Sequence, residues 1–302
     1  MDPIIFHWPA EWVADPARML PFYARITAGL TTRGRDWRAV TIDRDGLADR
    51  IDAMPGLHVV NHGRVRHPRA WNAGIAYVYP FWHLDRDGIR AFSSIGGMAM
   101  PAVDRGAARR FAQRLRQRLV AGRTSRYGQP AEVVALPRAR AAVFLQAEAS
   151  RAQGETVWVD RWTMLDTVLR CVAGPVLVKP HPLDFDPATG DRLEAMAAQF
   201  PQMVVTLANI HDVIVAADRV VTINSAVGIE AFVHPRPVIL CGRADFHHVA
   251  VTARDVEALV AALRAPAPQM DYDGFLWWYF GQMCLNAGAG DLVDRFLARV
   301  GA

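Results

Sequence analysis

Val176–Pro182, VLVKPHP, is the stretch that decides the fold. Val176, Leu177 and Val178 make a continuous apolar run, the pattern of a strand buried on both faces of a parallel sheet. Pro180 and Pro182 end any ladder or helix. Lys179 and His181 therefore stand where the strand runs out. In open α/β sheets ligands bind outside the carboxyl ends of parallel strands. A cation and an imidazole fixed there by two rigid residues suit a phosphate. The same residues also fit a proline-rich turn with a solvated lysine and a satisfied histidine.

Strand and helix patterns alternate on both sides of this stretch. Before it, Ala142–Gln146 reads as a strand, Thr156–Val159 as a short strand and Arg161–Val172 as a helix. After it come a helix over Thr189–Gln199, a strand at Met203–Leu207 and a helix at Ile210–Ala217 capped by Asn209. A strand at Arg219–Ile223, a helix at Ala226–Val233 and a strand at Pro237–Cys241 follow. Helices are expected at Val256–Leu263, Phe275–Leu285 and Leu292–Val300. This alternation is that of a nucleotide-binding doubly wound domain. The N-terminal part has a similar rhythm: strands at Ile4–Trp8, Trp37–Ile42 and Leu57–Asn61, with helices at Pro16–Leu30, capped by Asp15, and Gly46–Met54. The polar segment Gly122–Pro137 reads as a linker. It divides the chain into α/β domains at 1–136 and 137–302, in keeping with a length of 302 residues.

A second stretch, VVTINSAVGIEA at Val220–Ala231, carries an apolar strand that ends at Asn224-Ser225 and a helix that begins at once. Ser225 is a good N-cap type, and a helix start favours an anion through its free N–H groups and dipole. Glu230, on the first or second turn, either accepts from ribose hydroxyls or complements the dipole. In a parallel sheet the two strand ends open on one edge, so Lys179, His181, Asn224 and Ser225 can share a phosphate. No GxxxxGK[ST] run and no GxGxxG after a first strand occurs, which disfavours ATPase and dinucleotide oxidoreductase chemistry.

Composition narrows the class. A hydrophobic fraction of 52% and a charged fraction of 21% are those of a globular protein. The net charge of +4 is mildly basic and compatible with anionic ligands. Three separated cysteines, Cys171, Cys241 and Cys284, give neither a disulfide framework nor metal-ligand spacing. No signal peptide and no membrane-spanning run is read, so a cytoplasmic location is expected.

Two further segments carry chemistry or a solvated surface. Ala73–Ser94 is rich in aromatics yet holds His83, Asp85, Asp87 and Arg90, a mixture suited to the floor of a sugar site or to a hairpin with an exposed DRDG turn. Asp104–Val120 reads as a helix with Phe111, Leu115 and Leu119 on its apolar face and Arg105, Arg109, Arg110, Arg114, Arg116 and Arg118 elsewhere. That basic face either meets anionic lipid at the inner face of a membrane or is simply solvated. No nucleic-acid motif accompanies it.

KPHP followed by TINSAVGIEAFVHPRPVILCGRADF resembles the capsule polysaccharide biosynthesis family, which includes bacterial β-Kdo glycosyltransferases. The likeness runs over about Ala142–Thr252, including the FLQ strand end at Gln146, and WHLDRDGIRAFSS upstream shares it. It implies a GT-B-like pair of Rossmann-like domains. It implies a CMP-sugar donor, Kdo being the usual choice, and a capsule or surface glycan or glycolipid acceptor. His181 and Pro182 would then contact the cytidine monophosphate, and Asn224 and Ser225 its phosphate. Gln146, Lys179, Ala226 and Glu230 complete the expected binding set. His181, with Lys179 and the Ser225 helix start, would stabilise charge on the leaving phosphate without a metal cofactor. Asp85 or Asp87 would act as base or nucleophile. Sialyl transfer, UDP-sugar epimerisation and a non-catalytic role in capsule assembly or export are the alternatives. The sequence assigns no role to His247 and His248.

Overall fold

The structure, a computed structural model, describes residues 2–147 and 154–302. Five strands come first: β1 (Ile4–Trp8), β2 (Trp37–Thr41), β3 (Leu57–Asn61), β4 (Ala70–Ile75) and β5 (Phe81–Asp85). Six follow: β6 (Ala141–Phe144), β7 (Val176–Lys179), β8 (Met203–Val205), β9 (Val220–Thr222), β10 (Val238–Leu240) and β11 (Val251–Thr252). The last is β12 (Leu285–Asn286). They make two six-stranded sheets, ordered β12-β5-β4-β3-β1-β2 and β11-β10-β9-β6-β7-β8. The chain divides into two compact units, 1–99 with 278–302, and 100–277. Where the sequence places a boundary between 136 and 137, contacts place 100–136 with the second sheet and return the last 25 residues to the first.

In the first unit β1, β2, β3 and β4 run parallel, and β5 and β12 are antiparallel to their neighbours. Every residue of β1 and β5 is buried. An aromatic layer covers one face, with Phe22 stacked on Trp82 at 4.3 Å between ring centres. Leu292, Phe296 and Val300, spaced four apart along the last helix, complete this core. That helix lies tight against helix Pro21–Thr32, because a side chain at Gly29 would meet Val293. His7 and His58 from adjacent strands share one hydrogen bond of 2.8 Å. Burial holds the His7 pKa down to about 4, so the pair is neutral at pH 7.

In the second unit every ladder is parallel. The chain enters at β6, moves outward to β7 and β8, then crosses to β9, β10 and β11. This is the doubly wound order, and the direction of winding reverses between β6 and β9, where such sheets bind ligands. β6, β7 and β9 are buried throughout, as their apolar runs require.

Several expected elements differ in detail. The helix expected over Pro16–Leu30 is broken. Asp15 caps a short 3-10 turn at Pro16–Arg18, and the helix proper starts afresh at Pro21, because proline fits the first helical position and not the interior. Thr156–Val159 contributes one isolated bridge, Val157 to Gly242, rather than a strand. The helix expected over Phe275–Leu285 runs Tyr272–Leu276, loosens into a wider π turn at Trp277–Met283 and gives way to β12. Ala73–Ser94 contains the end of β4 and all of β5, an antiparallel pair.

Candidate functional site

The carboxyl ends of β6, β7 and β9 open on one cavity. Lys179, His181 and Pro182 line it from the end of β7, and Ser225, Ala226 and Glu230 line it from the turn and helix after β9. Phe144 and Leu145, at the end of β6, form the floor between them. The two expected motifs thus meet in one crevice, separated by a single strand.

His181 is half-buried. Its Nδ1 accepts a hydrogen bond of 3.1 Å from the Leu183 amide, which fixes the neutral tautomer with the proton on Nε2. Burial lowers its pKa, against a smaller upward pull from Asp184. The ring meets Tyr127 edge-on at 5.1 Å. A neutral imidazole with an N–H donor lining the cavity can therefore bind an anion without first being protonated.

Lys179 is the chain's single lysine. It is 8% exposed, and burial lowers its pKa. Its Nζ donates to the carbonyls of Leu207 at 3.1 Å and Ala208 at 2.8 Å. Two of three ammonium protons thus tie β7 to the loop after β8, and one remains for a ligand.

Glu230 is 2% exposed, and among the described residues its Oε1 has no hydrogen-bond partner. Burial pushes its pKa up to about 7, while the Ser125 side chain and the Arg126 charge pull the other way. A carboxyl held near neutrality can accept from a sugar hydroxyl when ionised and donate when protonated. The contribution of this carboxyl to stability is expected to fall as pH climbs from 4.5 towards 7, because the unfolded chain releases a proton that the folded one keeps. Glu230→Gln does not titrate. Its melting temperature relative to wild type is expected to climb between about pH 5 and pH 8. A difference that stays flat over that range, in paired thermal melts, would show that this carboxyl is not held desolvated.

Gln146 and Asn224 are turned towards each other instead of the cavity. Gln146 Nε2 donates to Asn224 Oδ1 at 3.0 Å, and Gln146 Oε1 accepts from the Asn224 amide at 3.1 Å. Asn224 Nδ2 donates to Glu155 at 2.9 Å and to the Arg243 carbonyl at 3.3 Å. Their amides brace the ends of β6 and β9, so a phosphate would meet Ser225 and the adjacent backbone. Helical hydrogen bonds begin with Gly228 N–H to the Ser225 carbonyl, which leaves the preceding amides outside the ladder. The Ser225 hydroxyl accepts loosely from Val227 N–H at 3.4 Å.

Sequence reading missed one wall. Ser125, Arg126, Tyr127 and Gln129 line the same cavity, from within the segment read as a linker. That segment is bolted to helix Ile210–Ala216. Arg123 forms paired bonds of 2.8 and 3.0 Å with Asp212, Asn209 Nδ2 donates to the Pro130 carbonyl at 3.0 Å, and Gln129 Oε1 accepts from Ile210 N–H at 3.1 Å. An Arg-Tyr pair in a Gly- and Pro-flanked loop was the only local signal, and nothing local says which cavity such a loop reaches.

The first unit holds the expected carboxylates. Asp85, at the end of β5, is 7% exposed. Its oxygens accept from the amides of Asp87, Gly88 and Ser94 and, at 2.6 Å, from the Ser94 hydroxyl. That is the full complement of a carboxylate, and it shapes the DRDG turn. Asp87 makes a partly exposed ion pair with Arg66 at 3.0 Å. His247 and His248 stack at 4.7 Å in a 3-10 turn of the second unit, outside the residues lining the cavity.

A chain with two Rossmann-like α/β units and a cavity at the switch point of the second has the α/β architecture also found in GT-B glycosyltransferases. Residues 163–275 match the sequence model of the capsule polysaccharide biosynthesis protein family, and over that segment the resemblance is borne out. Two structures of Thermosulfurimonas dismutans KpsC share the fold. The beta Kdo 2,7 transferase aligns with TM-score 0.55 and 16% identity, over 91% of this chain and 89% of that one. The beta Kdo 2,4 transferase aligns with TM-score 0.53 and 13% identity, over 90% and 88%. No curated protein matches by sequence.

Proposed function

We propose that the chain is a glycosyltransferase of capsule or surface glycan synthesis. Its donor is a nucleotide-activated sugar, CMP-Kdo or a related CMP-sugar, held in the second-unit cavity. The observation that carries this is the meeting of His181, Ser225 and Glu230 in one cavity at the sheet's switch point, inside the segment that matches the capsule family. The fold likeness to proteins described as Kdo transferases supports it.

On this reading the leaving phosphate sits between His181 Nε2–H, the third Lys179 proton, Arg126 and the amides around Ser225. His181 and Lys179 are held by protein bonds before the reaction, so they stabilise developing charge with little reorganisation. They also carry the electrostatic work that a metal ion would otherwise do. Glu230 faces the sugar hydroxyls of the nucleotide. The acceptor is a glycan or glycolipid hydroxyl, and Asp85 receives its proton if that hydroxyl takes the place of Ser94 Oγ. A thermal-shift panel of CMP, CDP, UMP, UDP and AMP tests the donor. CMP at about one hundred times its Kd is expected to add about 2.7 kcal/mol, several degrees in melting temperature. No shift with CMP, or an equal shift with AMP, removes the donor assignment.

The basic helix extends the proposal to a membrane surface. It spans Arg105–Arg116 and buries Ala108, Ala112 and Leu115. Arg105, Arg109, Arg110, Arg114 and Arg118 are exposed, whereas Arg116 is bonded to the Val233 carbonyl and Asp273. Among the described residues no helix is long and apolar enough to cross a membrane. Contact through this face would be peripheral and electrostatic. Flotation with vesicles containing about one-third anionic lipid is expected to carry the protein upward at low salt and release it at about 0.5 M salt. Equal flotation with neutral vesicles would discard the contact.

A further inference from the structure

The first unit contains its own cavity, of about 260 Å³, at the end of β5. Trp71, Asp85, Arg86, Ser94 and Arg299 supply its polar and aromatic lining, and Leu84, Ile95 and Met283 the apolar part.

Among the described residues its two arginines are held in place without a counter-ion. Arg86 lies 4.0 Å over the Trp71 ring, and its Nη1 donates to the carbonyls of Pro68 at 2.6 Å and Ala70 at 3.2 Å. Nε and Nη2 are left to a ligand. Arg299, from the last helix, is half-buried. It donates through Nη1 to the Met283 carbonyl and through Nη2 to the Gln282 carbonyl at 2.9 Å, and Nε is uncommitted. Burial lowers the pKa of both guanidinium groups. Among the described residues neither has a carboxylate within ion-pair distance. Asp85 acts on Arg299 only from a distance, and its own oxygens are filled by the turn. His83 adds no charge, since burial pushes its pKa down to about 3.

Two partly desolvated cations therefore line a cavity with a single, already bonded carboxylate. Arg86 is exposed at the rim and Arg299 is half-buried, and a partly desolvated guanidinium with no carboxylate partner is favourably completed by an anion. Guanidinium forks pinned by carbonyls and an aromatic face are pre-shaped for planar, multidentate anions.

We propose that this cavity binds the anionic group, carboxylate or phosphate, of an acidic sugar or sugar phosphate, through Arg86 and Arg299. Anion binding stands on this geometry alone. The identity of the bound sugar as the acceptor rests on the transfer reading above.

The test is titration calorimetry of the full chain with three probes: glucuronate, glucose 1-phosphate and neutral methyl glucoside. At least one acid is expected to bind, the neutral sugar far more weakly, and inorganic phosphate to compete. Arg299→Met and Arg86→Gln are each expected to weaken the acid by at least about tenfold. Should Arg299→Met fail to fold, judged by circular dichroism, Arg86→Gln at the rim decides the matter. Response to glucuronate alone assigns a carboxylate, and response to glucose 1-phosphate alone assigns a phosphate. No binding by either acid, equal binding by the neutral sugar, or unchanged affinity in a folded arginine variant overturns the proposal. Acid binding with no CMP binding would uphold this site and sink the donor assignment instead.

Discussion

His181→Ala is expected to lower sugar transfer from a CMP-activated donor by about 100- to 1,000-fold, the usual cost of removing one fixed donor to a developing anion. The melting temperature should move by no more than a degree or two, because the side chain is half-exposed and its one bond among the described residues serves an exposed loop amide. The Leu183 amide occupies Nδ1, so Nε2–H is the only polar group the ring can offer a ligand. Burial keeps the ring neutral. The donor function is thus already complete at pH 7, and transfer should show no step from this residue as pH rises from about 7 to 8. Measured transfer within a few fold of wild type, in a protein that melts normally, would take His181 out of the mechanism.

The largest loss of stability is expected on breaking the pair behind that histidine. Arg161 Nη1 lies 2.5 Å from Asp184 Oδ2, with the two side chains 6% and 5% exposed. The guanidinium also donates to the Gln146 carbonyl at 3.2 Å and the Thr189 hydroxyl at 3.2 Å. It therefore fastens the end of β6, helix Pro187–Gln199 and the loop that carries His181. Within that loop the Asp184 amide donates to the His181 carbonyl at 3.0 Å. Asp184→Ala strands a guanidinium in a dry site and should cost about 3–5 kcal/mol. Removing both charges, as Arg161→Met with Asp184→Leu, should recover most of that loss, since an apolar pair of similar volume needs no solvation. Denaturant midpoints for the two single variants and the double complete the cycle. A loss below about 1 kcal/mol for Asp184→Ala would mean that water reaches the pair.

Much of the second unit was legible because its strands are buried on both faces and bounded by proline or polar turns. VLVKPHP and VVTINSAVGIEA each show an apolar run, its end and the residues beyond. What lay hidden was what the polar groups bind. Gln146 and Asn224 are residue types suited to a phosphate, yet their amides close on each other across neighbouring strand ends. Arg126 and Tyr127 reach the cavity through a segment with no periodicity, pinned by Arg123, Asn209 and Gln129 from elsewhere in the chain. In the first unit the sequence assigns no strand at Ala70–Ile75, where β4 carries Asn72 and Gly74. Asn72 is buried there because its side chain accepts from the Val65 amide and donates to the Val65 and Asp85 carbonyls. Composition could not reveal that Phe275–Leu285 changes from helix to strand, because it is apolar on every side.

The interleaving of the two units has a consequence for biosynthesis. Residues 100–277 are contiguous and contain every strand of their sheet. They can complete folding as they leave the ribosome. The other sheet must wait with an open edge at β5 and uncovered aromatics until Leu285–Val300 emerges. During translation the earlier-made half is therefore the later to finish, and Phe6 lacks its stacking partner Phe296 until the last helix is made.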